Sequence, residues 1–347
     1  MKFIYTCVLA CGLCLSLESA VQAESLFGNN SDVKERDSAQ LLTLETKENE
    51  MYPKASPDGK YLLTLTMQGH DVSISRRAIQ NGGYLNIVTD DIASFASFAW
   101  FHEQVTFSSS RTGMLSLWKK PARGKGLMRR EIELTGHLQE ITLLEDGSII
   151  ATRIAQGYKQ KHGLSSDHFN NWDMGSVHSY IVHIFPDGSE KRLSSGSGAS
   201  LSKDGQHLVF SIVMGKSQHL FMMDIDGSNL AQLTSGHAQD AQATWSADGK
   251  WIVFTSNRAG TVDTGVSYKN NWELWAISNE GTHLTRLTHN KAKDGAPSIA
   301  DNGIVYFHSD RRIDKTSLAE REVRGSATGF HIWTVNLPEL LQTTSSK

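Results

Sequence analysis

The chain has 347 residues, enough for two average domains or for one large all-β domain. Hydrophobic residues make up 39% and charged residues 20%, so the chain is neither disordered nor fibrous. A formal net charge of -3 gives no bulk reason to expect nucleic acid or an anionic membrane as the main partner.

The first residues read as a processing segment. Lys2 supplies a positive start, Phe3 to Leu17 is apolar, and Val21-Gln22-Ala23 places small residues at a cleavage site. We expect a signal peptide over 1–23, cut after Ala23, with export to a bacterial periplasm. Val8-Leu9-Ala10-Cys11 loosely matches a lipobox and leaves a lipoprotein open as the alternative. All three cysteines, Cys7, Cys11 and Cys14, fall in this segment, so the processed chain is expected to hold neither disulfide nor thiol nucleophile. No other apolar run approaches the roughly 18 residues a membrane-spanning helix needs. Residues 24–40 are polar and aperiodic and read as a flexible arm.

From Leu41 onward the chain repeats. The best-formed unit lies between Ala241 and Thr288, where apolar segments flank an Asp248-Gly249 turn. Its third strand is expected at Glu273–Ser278 and its fourth at Leu284–Thr288. The same turn recurs at Asp58-Gly59, Asp146-Gly147, Asp204-Gly205 and, shifted, at Asn302-Gly303, with a degenerate copy at His102. Positions 58, 102 and 146 are 44 apart, as are 204 and 248; the longer gaps from 146 to 204 and from 248 to 302 mark insertions. Blades are expected to begin near Met51, Ser94, Leu138, Ser197, Asp240 and Asp294. The sixth lacks a fourth strand, which Gln40 to Leu44 would supply from the other end. The expected fold is all-β: a six-bladed propeller of four-stranded antiparallel blades over 41–340, its ring closed by an N-terminal strand, with a tail at 341–347.

Further text repeats in register. Phe107 to Gly113, Phe254 to Gly260 and Phe307 to Arg311 carry Phe-x-Ser-x-Arg, Trp245-Ser246-Ala247-Asp248-Gly249 precedes a second strand, and Leu-Thr recurs in fourth strands. On these motifs the chain resembles the TolB-type propeller family over roughly Leu41 to Leu340. The resemblance implies a non-enzymatic periplasmic scaffold that binds an envelope protein, with a peptidoglycan-associated lipoprotein as the candidate partner. The family's founding member carries an α/β domain ahead of its propeller, whereas 24–40 is too short for one, so the chain is expected to be the propeller alone.

Strand order orients the ring. With inner strands running from an upper to a lower face, the Asp-Gly turns lie below, and the insertions Gln156 to Val177, Ala259 to Asn271 and Arg311 to Thr328 all leave from above. Two of them share Asn170-Asn171-Trp172-Asp173 and Asn270-Asn271-Trp272-Glu273. We expect partner-binding residues on this face: Trp172, Asn171, Trp272, Asn271, Arg258, Arg311, His237, Asp240, His289 and Asp294. A tryptophan beside amides suits an anchor, although it could equally begin a third strand and pack between blades.

His137, His237 and His289 each follow a fourth strand, Asp240 and Asp294 follow in two of those connections, and together they are the candidate metal-ligand cluster near the channel mouth. They would serve an alternative function, a metal-dependent lyase or hydrolase acting on a polysaccharide at the channel mouth; structural capping of the repeat explains them as well. Asp224-Ile225-Asp226-Gly227-Ser228 lacks the further ligands of a calcium loop and reads as a turn. Lys119, Lys120, Arg123, Lys125, Arg129 and Arg130 form a basic run that suits either a solvated hairpin or an acidic surface. No Gly-x-Ser-x-Gly, phosphate-cradling loop or His-Glu-x-x-His occurs, so no enzyme and no cofactor are expected.

Overall fold

A computed structural model describes residues 37–43, 49–68, 71–92, 97–155, 178–259, 271–313 and 329–337. The signal segment, most of the arm, the tail and the insertion bearing Asn171 and Trp172 lie outside the described residues. Six four-stranded antiparallel sheets form the ring. Their inner strands are Asn49–Ala55, Phe98–Phe101, Leu138–Leu143, Ser197–Leu201, Asp240–Trp245 and Asp294–Ile299, and each pairs outward with the next strand in sequence.

The sixth sheet closes as expected. Gln40–Leu41 pairs antiparallel with the third strand of blade six, His331–Asn336, placing Gln40 opposite Thr334 and Leu41 opposite Trp333. The seam is tight: a Cβ on Gly82, whose φ is +67°, would sit 2.3 Å from the Leu42 carbonyl oxygen. The third strand of blade five spans Glu273–Ser278, as the sequence indicates. Its fourth strand shortens to Thr285–Arg286, and that of blade four to Ala231–Gln232. Outer strands have a pairing partner on one side only, so fewer bonds hold their ends.

Apolar clusters fill the interfaces between neighbouring blades. Leu117 with Ile141 joins blades two and three, Phe210 with Ile150 blades three and four, Phe254 with Val209 blades four and five, and Phe307 with Trp251 blades five and six. Phe107, Phe210, Phe254 and Phe307, all from second strands, are fully buried, each worth about 1.5–3 kcal/mol. Indoles fasten the inner strands: Trp100 Nε1 donates to the Lys54 carbonyl at 2.7 Å and Trp245 Nε1 to that of Ser200 at 3.0 Å.

The lower turns are locally locked. Ser246 Oγ donates to Asp248 Oδ1 at 2.6 Å and accepts the Trp251 N–H at 3.0 Å. Ser56 with Asp58 and Ser202 with Asp204 repeat this lock. Asp224 and Asp226 are held in the same way by Ser228 and Asn229, which agrees with the turn reading of that loop.

Candidate functional site

Every inner strand whose upper half is described in full has a bulge. The register with the second strand shifts between Met51 and Lys54, Gln139 and Thr142, Ser197 and Ser200, Ala241 and Thr244, and Gly295 and Ser298. Within each shift one residue has left-handed φ: Tyr52 (50°), Glu140 (51°), Gly198 (72°), Gln242 (54°) and Ala296 (49°). Each lies six positions before its turn residue at 58, 146, 204, 248 or 302. A bulge frees backbone groups from the ladder, and they must find partners elsewhere.

For four of the five the neighbouring blade supplies the partner. The Ala296 N–H donates to Gln242 Oε1 at 2.7 Å, the Gly198 N–H to Glu140 Oε2 at 2.5 Å, the Glu140 N–H to Ser97 Oγ at 3.0 Å, and the Tyr52 N–H to His308 Nδ1 at 3.0 Å. The latches thus run around the central channel from blade to blade. Thr152 Oγ1 also donates to Glu140 Oε2, at 2.6 Å, and Thr255 Oγ1 to Gln242 Oε1, at 3.0 Å.

Charge is gathered in the same place. Glu140 of blade three acts electrostatically on Tyr52 and Lys54 of blade one, a non-adjacent blade. Burial lowers the Lys54 pKa, with Glu140 opposing it only in part. Burial first, and Glu140 second, raise that of the Tyr52 hydroxyl. Burial, reinforced by the Lys54 charge, pushes His308 down to about 3. Its ring is therefore neutral and leaves Nδ1 free to accept the Tyr52 N–H.

The upper rim carries the Phe-x-Ser-x-Arg text, and its geometry explains each position. In blade five, Arg258 Nη2 pairs with Asp240 Oδ2 at 2.6 Å and Ser256 Oγ donates to Asp240 Oδ1 at 2.6 Å. Asn257 accepts the Gln239 N–H at 2.8 Å, and the guanidinium lies 5.4 Å from the Trp275 ring centroid. Burial works against ionisation of Asp240, but His219, Arg258 and Ser256 outweigh it and its pKa is lowered. In blade six, Arg311 pairs with Asp294 at 2.6 Å, lies 5.2 Å from Trp333, and grips Asp37 with both terminal nitrogens at 2.8 and 2.9 Å. Asp310 accepts the Lys293 N–H at 2.7 Å. Blade two repeats the device in a more exposed form with Arg111, Asp91, Ser109 and Trp118. Blade one replaces it with a buried pair of Arg77 and Glu50.

Several residues expected to face a partner are thus engaged within the fold. The side chains of Asp240 and Asp294 are fully buried, and Arg258 and Arg311 keep only 14% and 11% of theirs exposed. Asn271 and Trp272 are buried as well: Trp272 packs among Met51, Phe98 and Phe330. They directly precede the third strand and fill the core rather than stand out as anchors. His237 and His137 are exposed, and the half-buried His289 donates its N–H to Asp37 at 2.9 Å. Among the described residues, these histidines join no group of three or more side chains of metal-ligand type.

Three features of the site were missed in the sequence. The channel bulges are carried by Tyr, Glu, Gly, Gln and Ala, so only their constant distance from the turn could have marked them. Lys54 had no repeat counterpart to draw attention. Asp37, inside the supposed arm, could have been recognised only as an acid three residues ahead of the closing strand.

Comparison with known proteins supports the fold. No family model matches the chain. An uncharacterized protein of Agrobacterium fabrum is 26% identical over 114 residues, which is 32% of this chain and 36% of that one. Among solved structures, TolB of Agrobacterium tumefaciens superposes with a TM-score of 0.51 at 16% identity, covering 85% of this chain and 92% of that one. TolB of Acinetobacter baumannii gives 0.50 at 16% identity, covering 92% and 68%. An oligogalacturonate lyase of Vibrio parahaemolyticus gives 0.53 at 12% identity, covering 88% and 96%. The chain is a six-bladed propeller similar in fold to TolB, and the same fold serves enzymes. Among the described residues no helix is long and apolar enough to cross a membrane.

Proposed function

We propose that this chain is a non-enzymatic scaffold of the bacterial envelope, exported to the periplasm, that recruits a protein through its upper face and the adjoining channel mouth. One observation carries the reading: the long insertions of blades three, five and six all join second to third strands and therefore leave from a single rim. That rim is stiffened by the buried Asp240–Arg258 and Asp294–Arg311 pairs. The insertion of blade five is rooted in buried Ala259 and Asn271, and that of blade six in buried Ile313 and Phe330. Loops on a rigid frame suit recognition. Asn171 and Trp172, on the blade-three insertion, are the anchor candidates, with a peptidoglycan-associated lipoprotein as the first partner to try.

Photo-crosslinking tests the orientation. A crosslinking residue placed at His237 or Lys291, both exposed on the upper face, should capture the partner in the envelope fraction. The same residue at Asp204 or Asp248, on lower turns, should not. Equal capture from both faces would refute the reading.

A further inference from the structure

We propose that the lower outer edge of blades one and two is a docking surface for an anionic lipid membrane. The hairpin joining the third and fourth strands of blade two holds the basic run, and the structure divides that run into two sets. Lys119 pairs with Glu131, Lys120 Nζ donates to the Val88 carbonyl at 2.7 Å, and Arg130 pairs with Glu133. Arg123, Lys125 and Arg129 are exposed and make no ion pair among the described residues. Between Pro121 and Arg130 there is no acid. Six of the 34 lysines and arginines of a chain with net charge -3 are thus concentrated in 119–130, and three of them point outward unneutralised.

Apolar side chains stand among these cations. Leu127, on the hairpin, is 80% exposed, the most exposed large hydrophobic among the described residues. Beside it the fourth strand of blade one, Tyr84–Thr89, leaves Tyr84, Leu85 and Ile87 between 44% and 51% exposed. The two elements form one surface. Asn86 Nδ2 donates to the Ala122 carbonyl at 3.2 Å, and Gly124, with φ +74°, packs so closely that a Cβ there would meet the Ile87 carbonyl oxygen at 2.5 Å. A protruding leucine ringed by cations beside an apolar strand matches the chemistry of the headgroup boundary, where apolar side chains dip below the phosphates and Lys and Arg remain among them. An acidic protein would satisfy the cations but would leave Leu127 without a role. The surface lies on the opposite side from the insertions, so its test is independent of partner recruitment.

The test is co-sedimentation of the full chain with vesicles of phosphatidylglycerol and phosphatidylcholine in equal parts, and with phosphatidylcholine alone. Binding is expected to the anionic vesicles only and to weaken with salt. Each cation removed should weaken it about fivefold, so the double variant Arg123→Gln, Lys125→Gln should bind about 30-fold less tightly. Leu127→Ser should reduce binding about tenfold at unchanged charge. These positions are exposed, and unchanged thermal melting will verify that the variants fold. Absence of binding to anionic vesicles at low salt, equal binding to both vesicles, or indifference to Leu127→Ser would overturn the proposal. Retention of an acidic protein without vesicle binding would overturn it in favour of a protein partner.

Discussion

At the lower face each Ser-x-Asp-Gly turn closes on itself, Ser246 reaching no further than Trp251, whereas on the upper face Arg258 reaches back 18 residues to Asp240 and Arg311 reaches back 274 to Asp37. The lower turns are exposed and bonded by hydroxyl, carboxylate and backbone within a few residues. The upper clamps bury charge and join distant segments. Local locks specify where a repeat turns; the distant clamps hold one end of the ring rigid where the long insertions leave it.

Breaking a clamp should have the largest effect. Arg311→Ala leaves Asp37 and Asp294 buried without their cation, and the expected loss is about 3–5 kcal/mol in denaturant unfolding. A loss below about 1 kcal/mol would erase the contrast between the faces. Acid should come next. His308 is neutral in the folded chain down to about pH 3, while the unfolded chain takes up the proton near 6.5. Its contribution is full above 6.5 and declines as pH falls toward 3, at up to about 1.4 kcal/mol per pH unit. His308→Gln keeps an acceptor for the Tyr52 N–H and should lose roughly 2 kcal/mol less than the parent between pH 6.5 and 5. Parallel stability profiles would show that the channel histidine does not set the acid limit. The smallest effect belongs to a lower turn: Ser246→Ala removes one local lock and should cost about 1 kcal/mol, visible as a shift in the denaturant midpoint.

The same contrast governs how much the sequence reveals. Asp-Gly turns are local chemistry, so blade number, blade order and the closing strand could be read from spacing alone. The recurrence of Asp240 with Arg258 and Asp294 with Arg311 was equally visible, yet their inward pairing was not, because burial depends on strands that meet only in the folded ring. Trp272 was ambiguous for the same reason: the text Asn-Asn-Trp does not say whether Phe330 and Met51 will cover it. The channel bulges at Tyr52, Glu140, Gln242 and Ala296 were hidden because no shared residue type accompanies the shared backbone. At Tyr52, Glu140 and Ala296 the neighbouring blade satisfies the freed N–H, a relation no single repeat contains.

The pairing of Gln40 with Thr334 also sets a timetable for assembly. Blades one to five can form their own sheets as the chain emerges, but Gln40–Leu41 must wait for His331–Asn336, the last strand among the described residues. Until His331–Asn336 is available, the growing molecule is an open arc with two unsatisfied strand edges, and contacts of such sequence separation form slowly. A chain interrupted before residue 331 therefore keeps those edges open, and only the pairing of Gln40–Leu41 with His331–Asn336 removes them.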